Sequence, residues 1–253
     1  MSYESSLMNE VSGASPGHEI GAITTSAEET NCLSQLSLAN EFLDHAEILE
    51  DGLVFVSSSP AMLRIREQIE KISNFNLPVL ILGESGCGKE IIARLIHRRS
   101  SRAGHSFLKV NCAALPETLL ESELFGYESG AFTGATRSRM GKFEFCNSGT
   151  ILLDEIGEMS PSLQAKLLHV LQDKAILRLG ANTSIRVDVR IIAATNVNVF
   201  EALESGALRE DLYYRLNTFV ISVPPLRLRQ VEIPFLIEHF IGRFATDYGC
   251  PAI

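Results

Sequence analysis

The chain has 253 residues, 45% hydrophobic and 21% charged, with a formal charge of −9, which fits an ordinary globular chain with a sizeable core and excludes a chain-wide nucleic-acid surface. No apolar run approaches the ~18 residues of a membrane span, and the first thirty residues carry no basic start followed by an apolar stretch, so a cytoplasmic address is the default expectation. Five scattered cysteines lack ligand-like spacing and read as reduced thiols, neither staples nor a zinc site.

Residues 1–30, rich in Ser, Thr, Gly and Glu, are expected to form a mobile arm. From Cys32 to Glu50, Leu33, Leu36, Leu43, Ala46 and Leu49 recur near helical period with acidic residues between them, predicting a short acidic helix that completes a linker over 1–52. An α/β unit starts near Leu53. Ser59 before Pro60 starts a helix through "LRIREQIEKI"; "LPVLILGESG" is a buried strand running into glycines, and "KEIIARLIHRR" is the next helix. The basic "HRRSSR" reads as its solvated end. "SFLKVNCAAL", "GTILLDEI", "RVDVRIIAATN" and "NTFVISVPPL" supply four further strands. Ser160 and Pro161 open a helix through "SPSLQAKLLHVLQD", and "EIPFLIEHFIGRFATDYG" gives a last one. Near-continuous apolar strands alternating with helices predict a parallel sheet covered on both faces.

The stretch "GESGCGKE" fits Gly-x-x-x-x-Gly-Lys, with a strand before it and a helix after it. Gly83, Gly86 and Gly88 let backbone N–H groups and the helix N-terminus face a phosphate, and Lys89 can reach the β- and γ-phosphates. The alternative is a plain glycine-rich turn. The usual Ser or Thr after the lysine, whose hydroxyl meets magnesium, is replaced by Glu90.

Asp154 and Glu155 follow four aliphatic or β-branched residues at the end of a strand, where two acids are hard to explain as packing. Phosphoryl transfer needs one carboxylate near the metal, assigned to Asp154, and another to orient or deprotonate water, assigned to Glu155; the alternative is that they cap the next helix. Asn196 would emerge beside the γ-phosphate if its strand lies between those carrying the phosphate loop and the acids, and Asn111 can pair with Glu155. Arg209 and Arg215 cannot share one helical face squarely, so at least one can point outward toward a neighbouring subunit's site. Surface pairing with Glu210 or Asp211 is the other reading. Finally, "GAFTGA" sets a Phe and a Thr between glycines, as a buried turn, a nucleotide loop or a tip meant to touch another protein.

Together these stretches resemble the central AAA+ ATPase domain of the bacterial enhancer-binding proteins, the activators of sigma-54 RNA polymerase. "GESGCGKE", "FLKVNCAALPETLLESELFGYESGAFTGA", "GKFEFCNSGTILLDEIGEMSPSLQAKLLHVLQ", "VRIIAATN", "LREDLYYRLNTF" and "VPPLRLR" carry the likeness, from about Leu53 to about Phe240. It implies a P-loop NTPase fold, a three-layer α/β sandwich with a five-stranded parallel sheet and an inserted sigma-54-contacting loop. Residues 53–240 would be the ATPase domain and 241–253 the start of a helical lid.

The resemblance implies ATP and Mg2+ as ligands, cradled by Gly83, Glu84, Ser85, Gly86, Cys87, Gly88, Lys89 and Glu90, since the family also places Glu after the loop lysine. Asn111 would restrain the catalytic Glu155, Asn196 would be the sensor, and Arg209 and Arg215 would act in trans within a ring, expected as a hexamer. Gly130, Ala131, Phe132, Thr133, Gly134 and Ala135 would tip the loop that engages sigma-54, with Phe132 and Thr133 making the contact. An exposed aromatic between flexible glycines fits such an anchor.

The chain departs from the family at Leu228 and Glu232, where Glu and Asp are usual. Nothing resembling the family's lid arginine or helix-turn-helix precedes Ile253, so direct DNA binding is not expected of this chain. The implied function is remodelling of the closed promoter complex by ATP binding and hydrolysis; the alternative is a truncated activator that binds nucleotide or sigma-54 without productive turnover.

Overall fold

The computed structural model describes residues 46–249. The expected N-terminal arm and most of the acidic helix lie outside them. The end of that helix is corrected: Ala46–Ile48 is a strand, β1, followed by a 3-10 turn at Glu50–Gly52 and by β2, Val54–Val56. β1 and β2 pair antiparallel, Ala46 opposite Val56. Pairing with the apolar Val-Phe-Val triplet overrides the helical periodicity, which ends where the chain must turn back.

Helix α1 (Pro60–Ile72) leads to β3 (Val79–Leu82), α2 (Lys89–Arg98), β4 (Phe107–Asn111), α3 (Glu117–Phe125) and the short pair β5 (Gly126–Tyr127) and β6 (Arg139–Met140). Then come α4 (Lys142–Phe145), β7 (Thr150–Asp154), α5 (Pro161–Asp173), the hairpin β8 (Ala175–Leu177) and β9 (Ser184–Arg186), β10 (Arg190–Thr195), α6 (Val199–Glu204), α7 (Glu210–Leu216), β11 (Val220–Ser222) and α8 (Ile233–Tyr248). Both predicted N-caps are present: Ser59 Oγ accepts from Met62 N and Ser160 Oγ from Leu163 N, with proline in the first turn of each helix.

The five predicted strands form one sheet in the order β11-β3-β10-β7-β4, and every neighbouring pair is parallel. β10, at its centre, is buried throughout. One core, including Ile69, Ile92, Ile96, Leu152 and Ile192, packs α1 and α2 on one face; the other, including Leu124, Phe143, Ile151, Leu163, Leu167 and Leu212, packs α3, α5 and α7 on the opposite face. The result is the three-layer sandwich expected of apolar strands that must hide both faces. β4 forms one edge, so Lys109 and Asn111 escape burial. Arg190 is buried and donates to the carbonyls of Ile72 and Ser73, closing the C-terminal end of α1.

α8 runs without a break through residue 240 and leaves Ile237, Phe240, Ile241, Phe244 and Tyr248 exposed. The basic cluster at the end of α2 is only partly the solvated end expected: His97 is buried against Thr150, while Arg99 pairs with Glu47 and Glu70 and Arg102 with Asp188. Cys87, Cys112 and Cys146 are free and buried. Among the described residues no helix is long and apolar enough to cross a membrane.

Candidate nucleotide site and exposed loop

The loop from Gly83 to Gly88 joins the C-terminal end of β3 to the N-terminus of α2. Only glycine fits at 83, because a Cβ there would meet Cys87 Sγ at 2.7 Å and the Val223 carbonyl at 2.8 Å. Glu84, Ser85 and Gly86 are exposed, whereas the Cys87 side chain is buried beneath the loop; that burial holds the Cys87 thiol pKa above its ordinary value. Lys89 is 6% exposed. Its Nζ donates to the Gly83 carbonyl at 2.9 Å and the Glu84 carbonyl at 3.3 Å, and lies 3.5 Å from Glu155 Oε1.

Two arginines beyond β11 brace the same loop. Arg227 makes a two-pronged pair with Glu84 at 2.5 and 2.6 Å. Arg229 donates to the Cys87 carbonyl at 2.6 Å and to Glu232 Oε2 at 2.9 Å. Glu232 is fully buried, and its other oxygen accepts from the backbone N–H and hydroxyl of Ser59. Glu at this position is therefore a satisfied strut between α1, the phosphate loop and α8, while Leu228 is exposed.

Asp154 ends β7, and Glu155 follows in the left-handed backbone region at φ 55°. A non-glycine residue there costs about 1–3 kcal/mol, and the turn aims the Glu155 carboxylate back toward Lys89. Glu155 does not cap the 3-10 turn that it precedes, so the capping alternative is not realised. Its Oε2 instead accepts from the Asn196 backbone N–H at 3.0 Å. That contact arises because β10 lies between β3 and β7, the order on which the reading of Asn196 depended; its side chain is exposed.

Asn111 does not meet Glu155. Its Oδ1 accepts from Ala113 N at 2.9 Å in a local turn, and in register it stands opposite Asp154, one residue short of Glu155. Lys109, two residues earlier, bridges Glu90 at 2.7 Å and Asp154 at 3.3 Å. Glu90 is also held by Arg94 at 2.9 Å. Burial acts to raise the Glu90 pKa, yet Lys109 and Arg94 outweigh it and hold the carboxyl below its ordinary value.

Arg209 and Arg215 part company. Arg209 lies at the N-cap of α7; its N–H donates to Oε1 of buried Gln164, and its guanidinium grips Asp211 at 2.6 and 3.1 Å. Surface pairing thus describes Arg209 within this chain. Arg215, in the last turn of α7, is exposed and forms no salt bridge with any described residue.

The hexapeptide lies between β5 and β6 as a tight turn, with Gly130 N–H donating to the Ala135 carbonyl at 2.8 Å and Ala135 N–H to that of Phe132 at 3.0 Å. Gly130 and Gly134 take φ of 85° and 100°, which explains the glycines at both ends. Phe132 is 47% exposed, with one edge against Tyr127 at 5.0 Å between ring centroids. Thr133 is exposed, whereas Ala135 is buried and Ala131 seats on Gly180 in the β8–β9 turn. The buried-turn reading therefore fails at Phe132 and Thr133.

Arg178 ties this loop to the rest, donating to Glu128 at 2.8 Å and to both oxygens of Glu144. Leu179 adds backbone bonds to Glu128 and Gly126. Sequence reading passed over Arg178 and the hairpin that carries it; the alternation in "AILRLGANTSIRV" around Gly180 was the available signal.

A match to the sigma-54 interaction domain covers residues 55–222. The Nif-specific regulatory protein of Azotobacter vinelandii is 54% identical over 196 residues, 78% of this chain and 38% of that protein. The regulatory protein AtoC of Escherichia coli is 54% identical over 192 residues, 76% of this chain and 42% of that protein. The chain thus spans about two-fifths of the length of these curated relatives. Among solved structures, NtrX from Brucella abortus in complex with ADP matches with a TM-score of 0.73 at 35% identity, over 89% of this chain and 47% of that one. With this sheet, this phosphate loop and a family match over most of its length, the chain belongs to the sigma-54 interaction domain family, the central AAA+ domain of the bacterial enhancer-binding proteins.

Proposed function

We propose that residues 53–240 bind and hydrolyse ATP and that the chain uses the cycle to move the Phe132 loop against sigma-54, remodelling the closed promoter complex so that DNA can open. The observation that carries this reading is the convergence of Lys89, Glu155 and the Asn196 N–H within 3.5 Å contacts at the ends of three adjacent strands. The loop amides and the α2 N-terminus hold the phosphates, and Lys89 leaves its carbonyl partners for the β- and γ-oxygens. Glu155 orients the attacking water and takes its proton.

The hard carboxylate oxygens of Asp154, with Glu90 close by, suit Mg2+. Mg2+ bound with a nucleotide takes most of its ligands from phosphate and water, so one protein carboxylate suffices. Asp154 would hold it, and it would supply neutralisation of the phosphate charge. NtrX from Brucella abortus has been solved with ADP and with ATP, which supports the same ligands here.

Exposed Arg215 is the better placed of the two arginines to serve a neighbouring subunit, in a ring taken to be a hexamer. Arg209 can join it only by releasing Asp211. Turnover per subunit, followed across a protein-concentration series, is expected to rise with assembly, and Arg215→Ala to lower it by about 10²-fold or more without weakening nucleotide binding. Turnover independent of concentration would contradict action in trans, and binding without turnover would favour the hydrolysis-deficient alternative.

A further inference from the structure

β4 is an edge strand, and Lys109, although exposed there, is held in place by ion pairs. Its side chain is 35% exposed, and its ammonium lies between two carboxylates from different segments, Glu90 Oε2 at 2.7 Å and Asp154 Oδ2 at 3.3 Å. Lys109 stands opposite Leu152 in the β4–β7 register, so it shares a face of the sheet with Leu152 and Asp154. Leu152 belongs to the core under α2, and Glu90 lies in the first turn of α2.

Glu90 occupies the position where other phosphate loops place a hydroxyl for magnesium, and Asp154 is the acid assigned to the metal. Apart from the Arg227–Glu84 and Arg229–Glu232 pairs on the β11 side of the loop, three cations, Lys89, Arg94 and Lys109, face three anions, Glu155, Glu90 and Asp154. Without Lys109 the two carboxylates would meet an incoming polyphosphate one positive charge short. Burial acts to lower the Lys109 pKa, but Glu90 and Asp154 outweigh it and hold the ammonium above its ordinary range.

We propose that Lys109 is the resident counter-ion of the metal position: its ammonium neutralises Glu90 and Asp154 until a metal-bearing nucleotide takes over that charge, so nucleotide can enter without metal. The proposal rests on reading this site as a nucleotide site. Lys109 acts through the two carboxylates, as a positioning residue. Loss of its charge should therefore penalise metal-free nucleotide selectively, because a divalent ion restores the balance that the ammonium provided.

The test is titration of a fluorescent ADP analogue into the parent, Lys109→Met and Lys109→Arg proteins, once in EDTA and once with saturating Mg2+. Lys109→Met is expected to weaken binding about tenfold in EDTA and by less than about threefold with Mg2+, and Lys109→Arg to stay near the parent in both. A Lys109→Met loss of equal size in the two conditions, or no loss in EDTA, overturns the counter-ion role while leaving the nucleotide site intact. Failure of the parent protein to bind in either condition overturns the nucleotide reading and this proposal with it.

Discussion

Glu155→Gln is expected to bind ATP within a few-fold of the parent protein and to lose turnover by a factor of about 10²–10⁴, the usual worth of a positioned general base. The carboxylate lies 3.5 Å from the Lys89 ammonium and accepts the Asn196 N–H at 3.0 Å. An amide can keep the second contact but cannot take a proton from water. The left-handed backbone at Glu155 is met by Gln without new strain, because the two side chains have one shape. Single-turnover measurement with saturating ATP separates chemistry from binding. A variant that turns over at the parent rate would remove Glu155 from the reaction; one that fails to bind would make it a structural partner of Lys89 alone.

Phe132→Ala should leave ATP turnover within about twofold and weaken sigma-54 capture by about 30-fold or more, as expected when a central aromatic anchor is truncated. The ring is half exposed and meets Tyr127 in a T-shaped contact, so its removal costs less folding energy than that of a fully buried ring. The loop is held in place by other groups: Arg178 with Glu128 and Glu144, and Ala131 on Gly180. Arg178→Ala is therefore a poor substitute, since it would disturb the support and the tip together. Equal sigma-54 affinity for Phe132→Ala and the parent protein would show that the exposed ring is not the point of contact.

The parts of this molecule that are local in sequence could be read from it. Four-residue aliphatic runs predict strands because both faces of the sheet are covered, and Ser-Pro pairs predict the starts of α1 and α5 because the hydroxyl and the fixed φ act within one turn. The phosphate loop is legible for the same reason. Ala46–Ile48 misleads because antiparallel pairing with Val54–Val56 overrides the helical spacing of its apolar residues.

What stayed hidden depends on partners far along the chain. Arg227 and Arg229 reach the phosphate loop across more than a hundred residues, and Arg178 finds Glu144 through a hairpin that gives only a weak alternation. Lys109 has meaning only once β4 is known to flank β7 at the sheet edge. Asn111 and Glu155 illustrate the converse: both lie at the ends of neighbouring strands, yet a one-residue offset and a left-handed turn direct their side chains to different partners.

The most direct test is co-sedimentation of purified sigma-54 with this chain, with and without ADP and aluminium fluoride as a mimic of the transferring phosphate. Occupancy of the Lys89–Glu155 site is predicted to raise retention of sigma-54 sharply, and Lys89→Ala to abolish the rise. Retention that ignores the nucleotide, or that survives unchanged in Lys89→Ala, would contradict the coupling between phosphate loop and protruding aromatic on which the mechanism depends.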